Sequence, residues 1–203
     1  LSSLMGELSL AVFVYIGNLI FMLYLGDDGV GAFGISCYYT PFFFMVGNAI
    51  AQSAQPIISY NYGAERWTNV ARVRRLLFGT SFSVGVVLAL LFALLPVPLV
   101  ALFVDAGSAA GQIAINGFPY FSTGIIFFIL NVSIIGYYQS IERIGRAILF
   151  VCLRGLIFLL PCFVLLPRLY GEAGMWLAMP VAELLTLLSI VISGRIDAAR
   201  NSR

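Results

Sequence analysis

Between Glu7 and Asp27 the chain carries no charged side chain, and the same is true of residues 29–64, 76–104 and 106–141. No other feature restricts the fold as strongly. About 20 apolar residues in a helix cross the hydrocarbon core of a bilayer, and a lipid-exposed backbone must satisfy its own hydrogen bonds. These continuous runs lack the ten-residue alternation of a membrane barrel. The reading is therefore an all-α membrane protein, a bundle of six transmembrane helices near residues 1–25, 33–59, 76–95, 118–140, 147–166 and 175–193. Pro41 predicts a bend in the second span, because its ring removes a backbone donor. Residues 105–117 read as an interfacial connection. Composition agrees: 61% of the 203 residues are hydrophobic and 10% are charged, against about 25% charged in soluble domains. That excludes a cytosolic enzyme, a nucleic-acid binder and a disulfide-stapled secreted domain. The chain has no histidine, so a zinc site or a Ser-His triad is not expected. Cys37, Cys152 and Cys162 lie in apolar tracts without metal-ligand spacing and read as small buried hydrophobes. The start at Leu1, without methionine or signal pattern, points to processing or to a longer protein.

The arginines test the span count. All eleven basic residues are Arg. Arg66, Arg72, Arg74, Arg75, Arg143, Arg146, Arg154, Arg195, Arg200 and Arg203 fall on one side of a six-span topology, and Arg168 falls on the other with Asp27, Asp28 and Asp105. Basic loops stay in the cytoplasm, so both chain ends are expected there.

Charges at membrane depth cost roughly 2.5–3.5 kcal/mol on insertion scales, so Glu7, Arg154 and Glu183 each need a reason. Glu7, Ala11, Tyr15 and Asn18 form one partly polar stripe at helical spacing. Asn48, Gln52, Gln55 and Ser59 form a cleaner one. Asn131 and Tyr138 stand seven apart on the fourth span, and Trp176, Glu183 and Thr186 share a face of the sixth. One reading has these faces border a water-filled cavity in which carboxylates bind H+ or Na+, and Tyr15, Tyr38, Tyr39 and Tyr138 hold flat organic cations through their rings. The other has them join helices by hydrogen bonds worth about 0.6 kcal/mol on average. Glu183 has three alternatives: the cavity, a buried ion pair with Arg154, or snorkelling at the lipid edge. The Arg66–Arg75 region suits anionic lipid headgroups.

Three strings carry a resemblance: AQSAQPIISYNYGAERW (Ala51–Trp67), GYYQSIERIGRA (Gly136–Ala147) and LPRLYGEAGMWLAMPVAE (Leu166–Glu183). In this order they resemble the multidrug and toxic compound extrusion (MATE) family, and its bacterial drug-exporter branch most. The resemblance implies the C-terminal lobe of a twelve-helix, two-lobe transporter in the bacterial plasma membrane, whose N-terminal lobe is absent here. It implies secondary active multidrug efflux: cationic organic compounds leave in exchange for H+ or Na+ by alternating access, without enzymatic chemistry or a resident cofactor. The partners implied are organic cations, membrane lipids and the missing lobe, with no nucleic acid. Some members carry a seventh-helix glutamate and a tenth-helix aspartate at a Na+ site. Glu7 stands on the matching first span, whereas Phe128 or Asn131 stands where that aspartate would be. Alternatives are a flippase for lipid-linked sugars, which would favour a basic cavity, and a non-transporting membrane scaffold, which would leave no hydrated cavity.

Overall fold

At 1.5 Å per residue, a straight helix of 62 residues would measure roughly 93 Å, so α1 (Ser2–Gly63) has to break. It does so at Gly26 (φ 66, ψ −152). The two arms fold back on each other there, and the Phe21 and Phe33 rings stack with centroids 4.7 Å apart. Along a straight helix those residues would stand about 18 Å apart. Gly171 (φ 57, ψ −133) breaks α6 (Leu159–Asn201) in the same way, bringing Leu166 against Gly174. Both conformations are open at low cost only to a residue without Cβ.

The structure, a computed structural model, describes the backbone of residues 2–201 and the side chains of residues 6–195. The side chains of Arg200 and Arg203 lie outside the described residues. The described backbone is helical, without a strand. Between the two hairpins come α2 (Trp67–Leu94), α3 (Pro96–Ala101), α4 (Ala109–Ser140) and α5 (Ile144–Cys152), which runs through a π-helical turn (Leu153–Ile157) into α6. Four continuous helical stretches are long and apolar enough to cross a membrane. The two that contain hairpins cross twice, which gives six crossings.

One expectation changes. Residues 109–117 belong to α4 and not to a loop, because the Ser108 hydroxyl accepts the Gly111 N–H at 3.1 Å and starts the helix early. Pro41 sits inside the second arm of α1.

α4 is the central element and packs against α1, α2 and α6. Its inner face meets the hairpins in an aromatic core, where Trp176 lies edge-on to Phe21 at 4.9 Å and to Phe118 at 6.1 Å. At the Arg-rich end, α1 and α4 finish with the same device. Arg66 N–H donates to the Asn61 carbonyl and Glu65 N–H to the Tyr62 carbonyl; Arg143 and Glu142 do likewise with Tyr138 and Gln139. These are Schellman closures, with Glu65 (φ 55) and Glu142 (φ 60) in the left-handed position.

Gly26→Ala should lower stability by about 1–3 kcal/mol through backbone strain. Gly34→Ala, at a helical site with open space for a Cβ, should melt at or above the native temperature. Thermal unfolding in detergent measures both.

Candidate ion and substrate cavity

The π turn supplies the site's central cation. Phe158 N–H donates to the Leu153 carbonyl five residues back at 2.9 Å, and this wider turn carries Arg154 into the bundle. π turns inside helices recur at functional sites because they redirect side chains. The Arg154 Nε and Nη2 donate to the Oε1 of Glu183 at 3.0 and 2.7 Å. Asn131 of α4 holds the other oxygen: its Nδ2 donates to Glu183 Oε2 at 2.7 Å and to the Glu183 backbone carbonyl at 2.9 Å. Phe128, one turn earlier on the same face of α4, lies under the guanidinium at 4.2 Å. The side chains of Arg154 and Glu183 are 10% and 5% exposed. A pair this dry survives only when further hydrogen bonds offset its desolvation. Asn131 and the Phe128 ring are those further partners.

Beside this cluster lies a cavity of about 210 Å³, walled by both arms of α1, by α4, the π turn and the second arm of α6. Its polar lining includes Glu7, Thr40, Asn48, Gln139, Arg154 and Glu183. Of the two carboxylates in this lining, Glu183 is held by the guanidinium and Glu7 stands outside that pair. Ser9, two residues beyond Glu7, packs so closely on Gly155 of the π turn that a Cβ at Gly155 would overlap it. The first arm of α1 is thereby closed against the cation-bearing turn.

The polar stripes read from the sequence divide on folding. On the first arm, Glu7 reaches the cavity. Tyr15 does not: it is 69% exposed on the outer surface. Asn18 bonds its own helix, Nδ2 to the Val14 carbonyl at 2.8 Å. The inward face there is taken by Phe13 and Phe21, both buried. On the second arm, Asn48 is in the cavity wall, while Gln52 and Gln55 are exposed on the lobe surface, turned outward because Ala51 and Ile58 take the inner face. Ser59 donates to the Ser140 carbonyl at 2.9 Å and ties α1 to α4. Asn131 stands behind Glu183 and outside the cavity wall.

Tyr138 packs on Phe150 at 5.2 Å, away from this cavity, with the Arg146 guanidinium 6.0 Å over its ring. Tyr38 is 71% exposed and stacked on Phe103 at 5.3 Å, and the Tyr39 hydroxyl donates to the Leu99 carbonyl at 3.0 Å. Trp176 is in the aromatic core, and Thr186 donates to its own helix at Ala182, so Glu183 alone of that face reaches the cavity. Cys162 is buried, Cys37 and Cys152 are half-buried, and all three are free thiols. Thr40 and Gln139 belong to no polar stripe legible in the sequence, yet both line the cavity, as does Phe128, one turn from Asn131.

The MatE family model matches residues 4–164, and no curated protein matches the chain. Among solved structures, the fold is similar to a MOP superfamily transporter from Pyrococcus furiosus, described for a reversed binding-pocket polarity that suggests a different function. The TM-score is 0.86 at 14% identity, covering 100% of this chain and 46% of that one. An outward-facing multidrug resistance MATE family transporter of the MOP superfamily gives 0.87 at 14% identity, over 98% of this chain and 45% of that one. An inward-facing one gives 0.83 at 14% identity, over 98% and 46%. The chain thus spans under half the length of these structures, and it shares the fold of one lobe.

Removing one member of the buried pair should cost more than removing both. Arg154→Met strands a buried carboxylate and should destabilise by about 3–5 kcal/mol, whereas Arg154→Met with Glu183→Leu should recover most of that loss. Chemical unfolding of the two single variants and the double variant in detergent measures the coupling.

Proposed function

The chain belongs to the MatE family, and we propose that it is the C-terminal lobe of a twelve-helix secondary transporter that exports cationic organic compounds in exchange for H+ or Na+. The observation that carries this reading is a cavity lined by two carboxylates, one braced by a guanidinium and an amide and the other outside that brace. Glu183 has its oxygens taken by a guanidinium and an amide, so it is a poor cation site and a good structural anchor. Glu7 faces the same cavity outside that brace, so Glu7 is the group that takes the coupling ion. A cavity of about 210 Å³ is smaller than the roughly 300–1,000 Å³ of drug-sized sites. The organic cation therefore binds between lobes, against the exposed Tyr15, Tyr38, Gln52 and Gln55 of α1. Ion and drug favour different arrangements of the two lobes, and that differential affinity drives the exchange.

Three further points support the reading. The lobe is similar to structures described as outward-facing and as inward-facing, at TM-scores of 0.87 and 0.83, as expected of a lobe that rocks as a unit. A sugar-pyrophosphate flippase would need free basic groups at depth, and Arg154 is spent on Glu183. A scaffold would close its polar faces on one another and leave no cavity. The Arg-rich turns at Glu65 and Glu142 then face the cytoplasm of a bacterial inner membrane, with both chain ends.

Ethidium efflux by the full two-lobe protein tests the assignment. Glu7→Gln should abolish ion-dependent efflux with normal expression, while Tyr15→Ala and Gln52→Ala should weaken drug affinity and leave ion dependence in place. Unchanged efflux in Glu7→Gln would remove Glu7 from the coupling step.

A further inference from the structure

α2 and the second arm of α6 both pack on α4, yet they scarcely touch each other. The gap between them is an open groove of about 750 Å³, distinct from the ion cavity. Its polarity runs in one direction. At the Arg-rich end stand Arg74 and Arg75 with Tyr137 and Tyr138. The Arg74 guanidinium lies 5.9 Å over the Tyr137 ring. Deeper into the bilayer the lining is wholly apolar, Phe82 and Leu130 among it. Arg74, Phe78 and Phe82 follow i, i+4, i+8 along one ridge of α2, so the arginine-to-phenylalanine distance is about 12 Å. No carboxylate lines the groove, and among the described residues neither Arg74 nor Arg75 makes an ion pair. Gly79 opens the middle, where a Cβ would meet only open space.

We propose that this groove is a binding site for one anionic glycerophospholipid of the phosphatidylglycerol class. The phosphate sits between Arg74 and Arg75 at the level of the tyrosines, and an acyl chain lies along Phe78, Gly79 and Phe82 against α4. Tyrosine and arginine mark the headgroup level of a bilayer, and basic pockets between transmembrane helices on the cytoplasmic side take anionic headgroups. The apolar depth and the cationic mouth together match a lipid, whereas a soluble anion would use the mouth alone. Docking of the second lobe needs a different face: exposed Gln52 and Gln55 put polar side chains on α1, where acyl chains would be costly neighbours. The site is independent of the ion cavity and of what the transporter carries.

Native mass spectrometry of the intact protein in neutral detergent, titrated with phosphatidylglycerol or phosphatidylcholine, tests the site. The wild type should retain phosphatidylglycerol about thirtyfold more tightly, the factor expected of two arginines. Arg74→Gln with Arg75→Gln should erase that preference and leave phosphatidylcholine retention unchanged. Gly79→Leu keeps both charges, improves helix propensity and fills the groove, so it should weaken phosphatidylglycerol by about tenfold. Equal retention of the two lipids by the wild type would overturn the proposal. So would wild-type phosphatidylglycerol retention in either variant, or its displacement by glycerol phosphate at matched concentration.

Discussion

A guanidinium and a carboxylate held together in the interior of a membrane bundle set the terms for the rest of this lobe. Neither Arg154 nor Glu183 would be tolerated there alone, and each is less than a tenth water-exposed or near it, at 10% and 5%. Three elements have to agree for the pair to exist. The π turn delivers Arg154, α4 presents Asn131 and Phe128 one turn apart, and the second arm of α6 brings Glu183 to meet them. The Gly171 hairpin is what returns α6 to α4, and the close fit of Ser9 on Gly155 is what seats α1 on the turn. Hairpin, turn and pair thus depend on one another.

The pair also separates two roles that the membrane carboxylates would otherwise share. A braced Glu183 fixes the cavity wall, and it is Glu7 to which the proposed ion coupling is assigned. The polar side chains outside the cavity divide in the same way. Ser59 and Asn18 serve helix geometry, while Tyr15, Tyr38, Gln52 and Gln55 lie on the outer surface of α1. On the opposite margin of α4 the lobe presents a groove graded from arginine to phenylalanine. A single helix bundle thus shows one face suited to water or a partner lobe and another suited to lipid.

Much of the architecture was legible because lipid leaves few choices. Long uncharged tracts demand helices, and the arginines clustered after α1 and after α4 indicate that those two turns lie at one end. Gly26 and Gly171 as hairpin points were less visible, since nothing in a lone glycine distinguishes a sharp reversal from an ordinary loop. Spacing on a single helix found the polar ridges but not their fates. Asn48 and Gln52 stand one turn apart, yet one lines the cavity and the other faces outward, because Ala51 decides which way the helix is rolled against α4. For Glu183 the sequence left three alternatives, and two hold at once: the carboxylate pairs with Arg154 and also forms cavity wall. The π turn had no sequence signature, so the reach of Arg154 could not be read from α-helical geometry. Asn131 sat on a recognised face, but its partner lies 52 residues away in the chain and only packing reveals it.

Hydration of the intralobe cavity is the claim on which ion coupling stands, and thiol accessibility measures it directly. In a background with Cys37, Cys152 and Cys162 replaced by Ala, Asn48→Cys should react with a membrane-impermeant, water-soluble maleimide, while Ile58→Cys, at a fully buried position, should not. The account predicts labelling of Asn48→Cys that is slowed by Na+. An Asn48→Cys as inert as Ile58→Cys would mean a dry contact in place of a cavity, and would contradict it.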